Sequence, residues 1–184
     1  QKNETTLKED ALSDRWESRG SKVAVVSKEK ADNNDYPEAK EVLLVNNTKN
    51  KVIVSQKVFD QAYPASTTKI MTAYVALKYG NLDDIVTASE RATDFAEDEQ
   101  VCGLQAGDQL SLRDLLNGLL LYSGNDCAVA IAEHVSGSVE AFVDKMNEEA
   151  RNLGATGTHF VNPHGLQNED HYTTAYDLYL MFNA

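Results

Sequence analysis

The chain has 184 residues, 42% of them hydrophobic, which suffices for one domain with a core of useful size and makes two domains unlikely on length alone. Lys and Arg number 17 against 29 Asp and Glu, and the resulting net charge of −12 argues against nucleic acid or an anionic membrane surface as a partner. No apolar run reaches the roughly 18 residues that span a bilayer, and the N-terminus lacks the apolar stretch of a signal peptide.

Residues 1–39 are polar and mixed in charge, with Asp32-Asn33-Asn34-Asp35 and Pro37 near their end, and read as a flexible extension or tether. A short helix over residues 7–16 and docking of Trp16 or of Val23-Ala24-Val25-Val26 stay open. The remainder, residues 40–184, reads as one domain. Glu41-Val42-Leu43-Leu44-Val45 and Lys51-Val52-Ile53-Val54 flank the turn-forming run Asn46-Asn47-Thr48-Lys49-Asn50, which predicts a β-hairpin. Tyr63-Pro64-Ala65-Ser66-Thr67-Thr68-Lys69 then leads into an apolar helix that ends near Gly80. Pro64 discourages helix before it, Ser66 suits the N-terminus, and residues apolar on every face mark a buried helix.

Short extended pieces are expected at residues 85–87 and 107–110, on either side of a solvated acidic loop holding Asp94, Glu97, Asp98 and Glu99. Ser111 caps the next helix, with Asp114 at the capping-box position and Leu112, Leu115, Leu116, Leu119 and Leu120 on its apolar face. Tyr122-Ser123-Gly124-Asn125 breaks it. A second helix covers residues 126–135, and a third runs from Ser138 to Leu153 with Gly154 as its stop. A loop over residues 157–171 precedes a last helix from Thr173 or Thr174. The fold class is α+β: two clear strands, then mostly helices.

The pattern with chemistry in it is Ser66-x-x-Lys69. Residues three apart on a helix are neighbours, so the lysine amine reaches the serine hydroxyl. A serine is a weak nucleophile until a base takes its proton, and lysine is a base only when neutral, so its ordinary pKa of about 10.4 has to fall. Desolvation at the head of an apolar helix moves it that way, and the positive end of the helix dipole favours negative charge on the serine oxygen. Ser27-Lys28-Glu29-Lys30 repeats the spacing among charged residues, where the lysine stays solvated and protonated. The spacing alone is therefore weak.

A second motif, Ser123-Gly124-Asn125, sits in the break between two helices, where a hydroxyl and a carboxamide can project into a cleft. The two motifs together resemble the active-site set of penicillin-recognising serine enzymes. Within them the chain is most similar to the D-alanyl-D-alanine carboxypeptidases, the low-molecular-mass penicillin-binding proteins. The likeness covers residue 40 to the end and is carried by Tyr63-Pro64-Ala65-Ser66-Thr67-Thr68-Lys69-Ile70-Met71-Thr72-Ala73, Leu121-Tyr122-Ser123-Gly124-Asn125-Asp126, Phe160-Val161-Asn162-Pro163-His164-Gly165-Leu166 and His171-Tyr172-Thr173-Thr174-Ala175-Tyr176-Asp177-Leu178.

The resemblance implies a penicillin-binding, β-lactamase-like fold, present as the helical lobe plus the N-terminal hairpin. It also implies catalytic Ser66, Lys69 and Ser123, substrate-binding Asn125, and no metal or cofactor. The implied substrate is a peptidoglycan stem peptide ending in D-Ala-D-Ala, cut outside the cytoplasmic membrane during cell-wall maturation, with β-lactams as covalent inhibitors. The family's third motif, Lys-Thr-Gly, and the sheet strands after it have no counterpart in these 184 residues. The expectation is that this polypeptide alone is a poor catalyst and that the uncovered hairpin edge is open to pairing or swapping.

The nearest rival is a β-lactamase, whose common form has Asp where Gly124 stands and a downstream Glu that activates water; here the later loop offers His159 and Asn162. A sensor that is acylated without turnover is the reading from another class. A Ser-His-Asp hydrolase is disfavoured because no Gly-x-Ser-x-Gly elbow surrounds any serine. Cys102 and Cys127 permit a disulfide bracing the cleft mouth, two separate thiols or a redox switch, and the sequence leaves these open. His159, His164 and His171, with Glu169 and Asp170, match no strong metal-ligand spacing and are expected to structure the loop by hydrogen bonds, with His164 shaping the cleft floor.

Overall fold

The computed structural model describes residues 23–26, 36 and 38–184. The helix left open over residues 7–16 lies outside the described residues, as does most of the polar extension. One part of that extension docks. Ala24 and Val26 are buried, the Ala24 N–H donates to the Tyr179 hydroxyl at 2.9 Å, and the Tyr176 hydroxyl donates to the Ala24 carbonyl at 3.3 Å.

Strands β1 (Val42–Asn46) and β2 (Lys51–Gln56) form the expected antiparallel hairpin, with Val42 opposite Gln56 and an irregularity between Leu44 and Val45. Leu44 and Ile53 remain exposed on it. A 3-10 turn (Ala65–Thr68) feeds helix α1 (Lys69–Tyr79), whose residues are nearly all buried as far as Ala76. The short pieces β3 (Ile85–Thr87) and β4 (Gln109–Ser111) pair antiparallel as a second two-stranded sheet, so the acidic loop between them is tied at its base. The sequence showed these pieces as extended without showing that they pair, because three-residue strands carry too little periodicity to reveal a partner.

Helices α2 (Leu112–Asn117), α3 (Asn125–Ser136), α4 (Val139–Asn152) and α5 (Ala175–Phe182) complete the described fold, which is α+β as expected. Three start on side-chain caps: Ser111, Ser138 and Thr174 accept from the backbone N–H groups of Asp114, Ala141 and Asp177, each satisfying an otherwise orphaned donor. Spacing of three or four in Val139, Phe142, Met146, Ala150 and Leu153 turns one face of α4 inward. It packs on α1 and α3 around Met71, Val75, Leu115, Ile131 and Phe160. Helix α3, small and apolar from Cys127 to Ala132, is buried on all sides and runs against α1. This places the N-terminus of α3 beside the N-terminus of α1, which is where the two motifs meet.

Candidate active site

Lys69 is 3% exposed at the first position of α1. Its Nζ donates to Asn125 Oδ1 at 2.8 Å and to the His164 carbonyl at 2.9 Å. Burial is the main influence on the amine and pulls its pKa down to about 8, with the charges of Asp126 and Cys127 opposing. The desolvation expected from the sequence is therefore present, and the lysine is joined to the second motif across 56 residues. Two N–H groups of a neutral amine satisfy these two acceptors and leave its lone pair for a third group.

Ser66 lies one turn before Lys69 and is exposed. It does not cap the helix: it is the second residue of the 3-10 turn, and its carbonyl accepts from the Lys69 N–H. Two features hold this turn. Ala65 sits at φ +47°, a left-handed conformation costly for a residue with a Cβ, and Thr67 Oγ1 donates back to the Pro64 carbonyl. Ser66 thus projects from a tight, locally strained turn.

Ser123 arrives by another irregularity. After α2 the chain makes a π-helical turn (Gly118–Tyr122), and Ser123 follows in the left-handed region at φ 63° and ψ 34°. Such turns often mark functional positions because they re-aim one residue out of the helical register. The Ser123 hydroxyl is buried without a hydrogen-bond partner. An orphaned buried hydroxyl is unfavourable and is consistent with a group held for a ligand.

Asn125 and Asp126 then begin α3 with different tasks. Asn125 turns its carboxamide oxygen to Lys69. Asp126, 1% exposed, accepts four backbone N–H groups: Cys102 and Cys127 on Oδ1 at 2.9 Å each, and Gly103 and Leu104 on Oδ2 at 2.8 and 3.0 Å. The Asn125 N–H donates to the Gln100 carbonyl at 2.8 Å and Gln100 Nε2 donates to the Tyr122 carbonyl at 3.1 Å. Residues 100–104 are thereby strapped onto the back of the Ser123 turn.

The loop over residues 157–171 supplies the floor. Thr72, one turn past Lys69, donates to the Pro163 carbonyl at 2.6 Å, so two side chains on one face of α1 hold two successive carbonyls. Asn162 Oδ1 accepts from the N–H groups of His164 and Gly165, folding the loop into a tight turn. Gly165, at φ +94°, presses on the strained turn: a Cβ there would collide with the Ala65 carbonyl. His164 Nδ1 accepts from Leu166 N at 3.2 Å, and the imidazole stands edge-on to Phe95. Burial holds its pKa down at about 4, with the positive charges of Lys69 and His171 adding to the effect.

Of the residues singled out from the sequence, Lys69 and Asn125 are in direct contact, and Ser66 and Ser123 lie on the two turns that lead into the helices those residues begin. The expectation that the histidines structure their loop agrees with His159 Nδ1 on the Asp170 carbonyl at 2.6 Å and His171 Nδ1 accepting from Val161 N at 3.0 Å. The contacts missed from sequence are the His164 carbonyl on Lys69, the Asp126 strap and the Thr68–His171 pair. Backbone carbonyls carry no residue signature, and nothing in Asp126 as an N-terminal helix residue distinguishes a four-fold acceptor from an ordinary one. Cys102, Asp126 and Cys127 form a compact group with ligand atoms within 4.8 Å of one another, and the two cysteines are free thiols. With all four Asp126 contacts going to the backbone, that group offers two sulfurs and little more to a metal. Among the described residues no helix is long and apolar enough to cross a membrane.

The Peptidase S11 family, D-alanyl-D-alanine carboxypeptidase, matches the chain over residues 27–184. D-alanyl-D-alanine carboxypeptidase DacF of Bacillus subtilis is 40% identical over 149 residues, which are 78% of this chain and 38% of that protein. The crystal structure of the D-alanyl-D-alanine carboxypeptidase DacD from Francisella tularensis superposes with a TM-score of 0.75 at 30% identity, covering 88% of this chain and 39% of that one. A Streptomyces K15 DD-transpeptidase gives a TM-score of 0.76 at 33% identity, covering 82% and 62%. The chain thus spans about two fifths of the length of the curated relatives it matches.

Proposed function

Because the chain belongs to the D-alanyl-D-alanine carboxypeptidase family, Peptidase S11, we propose that it forms the acyl-transfer centre of a serine enzyme. This enzyme removes the terminal D-alanine from peptidoglycan stem peptides on the outer side of the cytoplasmic membrane. The observation that carries the reading is the buried Lys69 amine, lowered to about 8 and bonded to Asn125 beside the Ser66 turn.

Ser66 Oγ attacks the carbonyl between the two D-alanines. Lys69 takes the Ser66 proton through the lone pair left over after its bonds to Asn125 and the His164 carbonyl. The oxyanion meets the Ser66 N–H, which sits at the start of the turn and of the α1 dipole. The unpartnered Ser123 hydroxyl relays a proton to the departing D-alanine amine. Asn125 has its oxygen turned to Lys69, so its amide nitrogen remains to hold a carbonyl of the acylated peptide. Water then cleaves the Ser66 ester. No step calls for a metal or a cofactor, and a β-lactam enters by the same attack and stays as an ester.

The similarity to a DD-transpeptidase favours one second reading, in which an amine rather than water accepts the acyl group. One experiment separates the two. A D-Ala-D-Ala peptide is incubated with and without an amine acceptor and the products are resolved, while a fluorescent penicillin is used to locate the acylated residue. Slowly formed free D-alanine and shortened peptide, with the label on Ser66 and none on Ser66→Ala, is the expected result. Cross-linked product in excess of hydrolysis selects the second reading, and a label on any other residue overturns both.

A further inference from the structure

Cys102 lies in the strap over residues 100–104 and Cys127 at the third position of α3, immediately behind the turn that carries Ser123 and Asn125. Their sulfurs, with one Asp126 oxygen, fall within 4.8 Å of one another. Cys102 is exposed and Cys127 is buried. Space has been left for the pair. A Cβ on Gly118 would lie 2.7 Å from the Cys127 sulfur and 3.0 Å from that of Cys102. A Cβ on Gly124, the middle residue of the second motif, would lie 2.6 Å from the Cys102 sulfur and 3.2 Å from that of Cys127. Both approaches are closer than a side chain tolerates, so two glycines on separate turns open onto one sulfur pair.

We propose that Cys102 and Cys127 are a dithiol modification site that low-molecular-mass disulfides close into an intramolecular disulfide, bracing the turn of Ser123 and Asn125 from behind. The sulfurs need to approach by no more than about 3 Å to reach bonding distance. Because the strap is already fixed to α3 by Asp126, the covalent link tightens an existing contact rather than creating one.

The exposed Cys102 reacts first. Its thiolate attacks one sulfur of the small disulfide, and one small thiol leaves with the proton Cys102 has given up. Cys127 is slow to ionise on its own, since burial and then the Asp126 charge push its pKa up. Its thiolate attacks the Cys102 sulfur of the mixed disulfide and releases the second small thiol, which takes the Cys127 proton. Two protein thiols have then given two electrons to the disulfide, which ends as two thiols.

This inference goes beyond the acyl-transfer reading and is independent of it, so the test uses mass, thiol content and thermal stability rather than turnover. The folded chain is incubated with glutathione disulfide and compared with a sample kept in dithiothreitol. Loss of both thiols with no retained glutathione is expected. So is a rise in Tm of about 5–10 °C that dithiothreitol reverses, the shift for closing a loop of about 25 residues. Cys127→Ala, or Cys127→Ser if the alanine variant does not fold, keeps glutathione on Cys102, and Cys102→Ser takes up none. Glutathione retained on Cys102 of the wild type, two thiols that survive in the folded chain, closure without a change in Tm, or a zinc ion isolated between the sulfurs each overturns it.

Discussion

Thr68 and His171, 103 residues apart, meet in the interior through a 2.7 Å hydrogen bond between Thr68 Oγ1 and His171 Nε2. Because His171 Nδ1 accepts from the Val161 N–H, the imidazole proton resides on Nε2 and is donated to Thr68. The ring therefore ties the residue before Lys69 to the start of the loop whose His164 carbonyl accepts from Lys69. It is a positioning residue for the amine, and it works only when neutral.

Acid should undo this tie. Burial, with His159 contributing, holds the His171 pKa down at about 4 from 6.5. The unfolded chain therefore binds a proton that the folded one refuses, and stability is lost as pH falls from 6.5 toward 4, by about 3 kcal/mol for this group. His164 contributes in the same direction and window. Denaturant melts across pH 4 to 7 should show the fall, and His171→Gln should flatten part of it, since glutamine accepts from Val161 and donates to Thr68 without titrating. His171→Ala, which strands the Val161 N–H, should lose about 2–4 kcal/mol at pH 7 and slow acylation, with the glutamine variant restoring most of the rate. Equal acylation rates in the alanine and glutamine variants would remove the positioning role.

Acylation should rise with pH. At a pKa of about 8 roughly a tenth of Lys69 is neutral at pH 7, so the rate of penicillin labelling should climb nearly tenfold between pH 7 and 9, with its midpoint near 8. Folding shows the same group with a definite sign: a folded pKa below the unfolded value of about 10.4 makes stability increase from pH 8 to about 10.4. Lys69→Arg keeps a cation but has no lone pair to offer at these pH values, and it should acylate at least about a hundredfold more slowly at every pH. A flat labelling profile in the wild type would exclude the amine as base.

The sequence showed the parts of this site that depend on residue type and spacing. Ser66 and Lys69 at a separation of three, the apolar run behind them and the break at Ser123 are all written locally. It could not show that Asn125 meets Lys69, because that contact depends on α1 and α3 packing with their N-termini side by side. Nor could it show that Ser66 enters through a 3-10 turn with Ala65 at positive φ, since alanine carries no signal for that conformation. Gly165 marks the place from the other side, but only the packed structure reveals that its missing Cβ makes room for the Ala65 carbonyl.

That contact gives the next prediction. Gly165→Ala should be among the most damaging single-methyl changes in the loop, for two separable reasons. Its φ of +94° is strained for any residue with a Cβ, and the added methyl collides with backbone, which cannot rotate away. A loss of about 2–4 kcal/mol in denaturant melts is expected, with penicillin labelling reduced further than stability alone explains because the Ser66 turn is displaced. Gly103→Ala is the control: its φ is also positive, at +88°, but its Cβ would meet nothing within 4 Å. It should lose only about 1 kcal/mol, the backbone component by itself. Similar losses at both positions would show that strain rather than the collision governs Gly165.

Asp126 offers a test in which stability and reactivity separate. Its carboxylate holds four backbone N–H groups, and Asp126→Asn replaces one acceptor oxygen with an NH2 that faces donors. Hydrogen bonds to a charged group are worth about 1.5–3 kcal/mol each, and two of the four lose their acceptor, so a destabilisation of about 3 kcal/mol or more is expected, with faster amide exchange in residues 100–104. Lys69 should respond differently. The negative charge of Asp126 raises the Lys69 pKa against the lowering by burial, so its removal lets that pKa fall below about 8. Penicillin labelling of the folded fraction should then reach its plateau at lower pH than in the wild type, even as the protein melts sooner. A pH profile that stays in place would mean that solvent screens Asp126 from the amine and that burial alone sets its basicity.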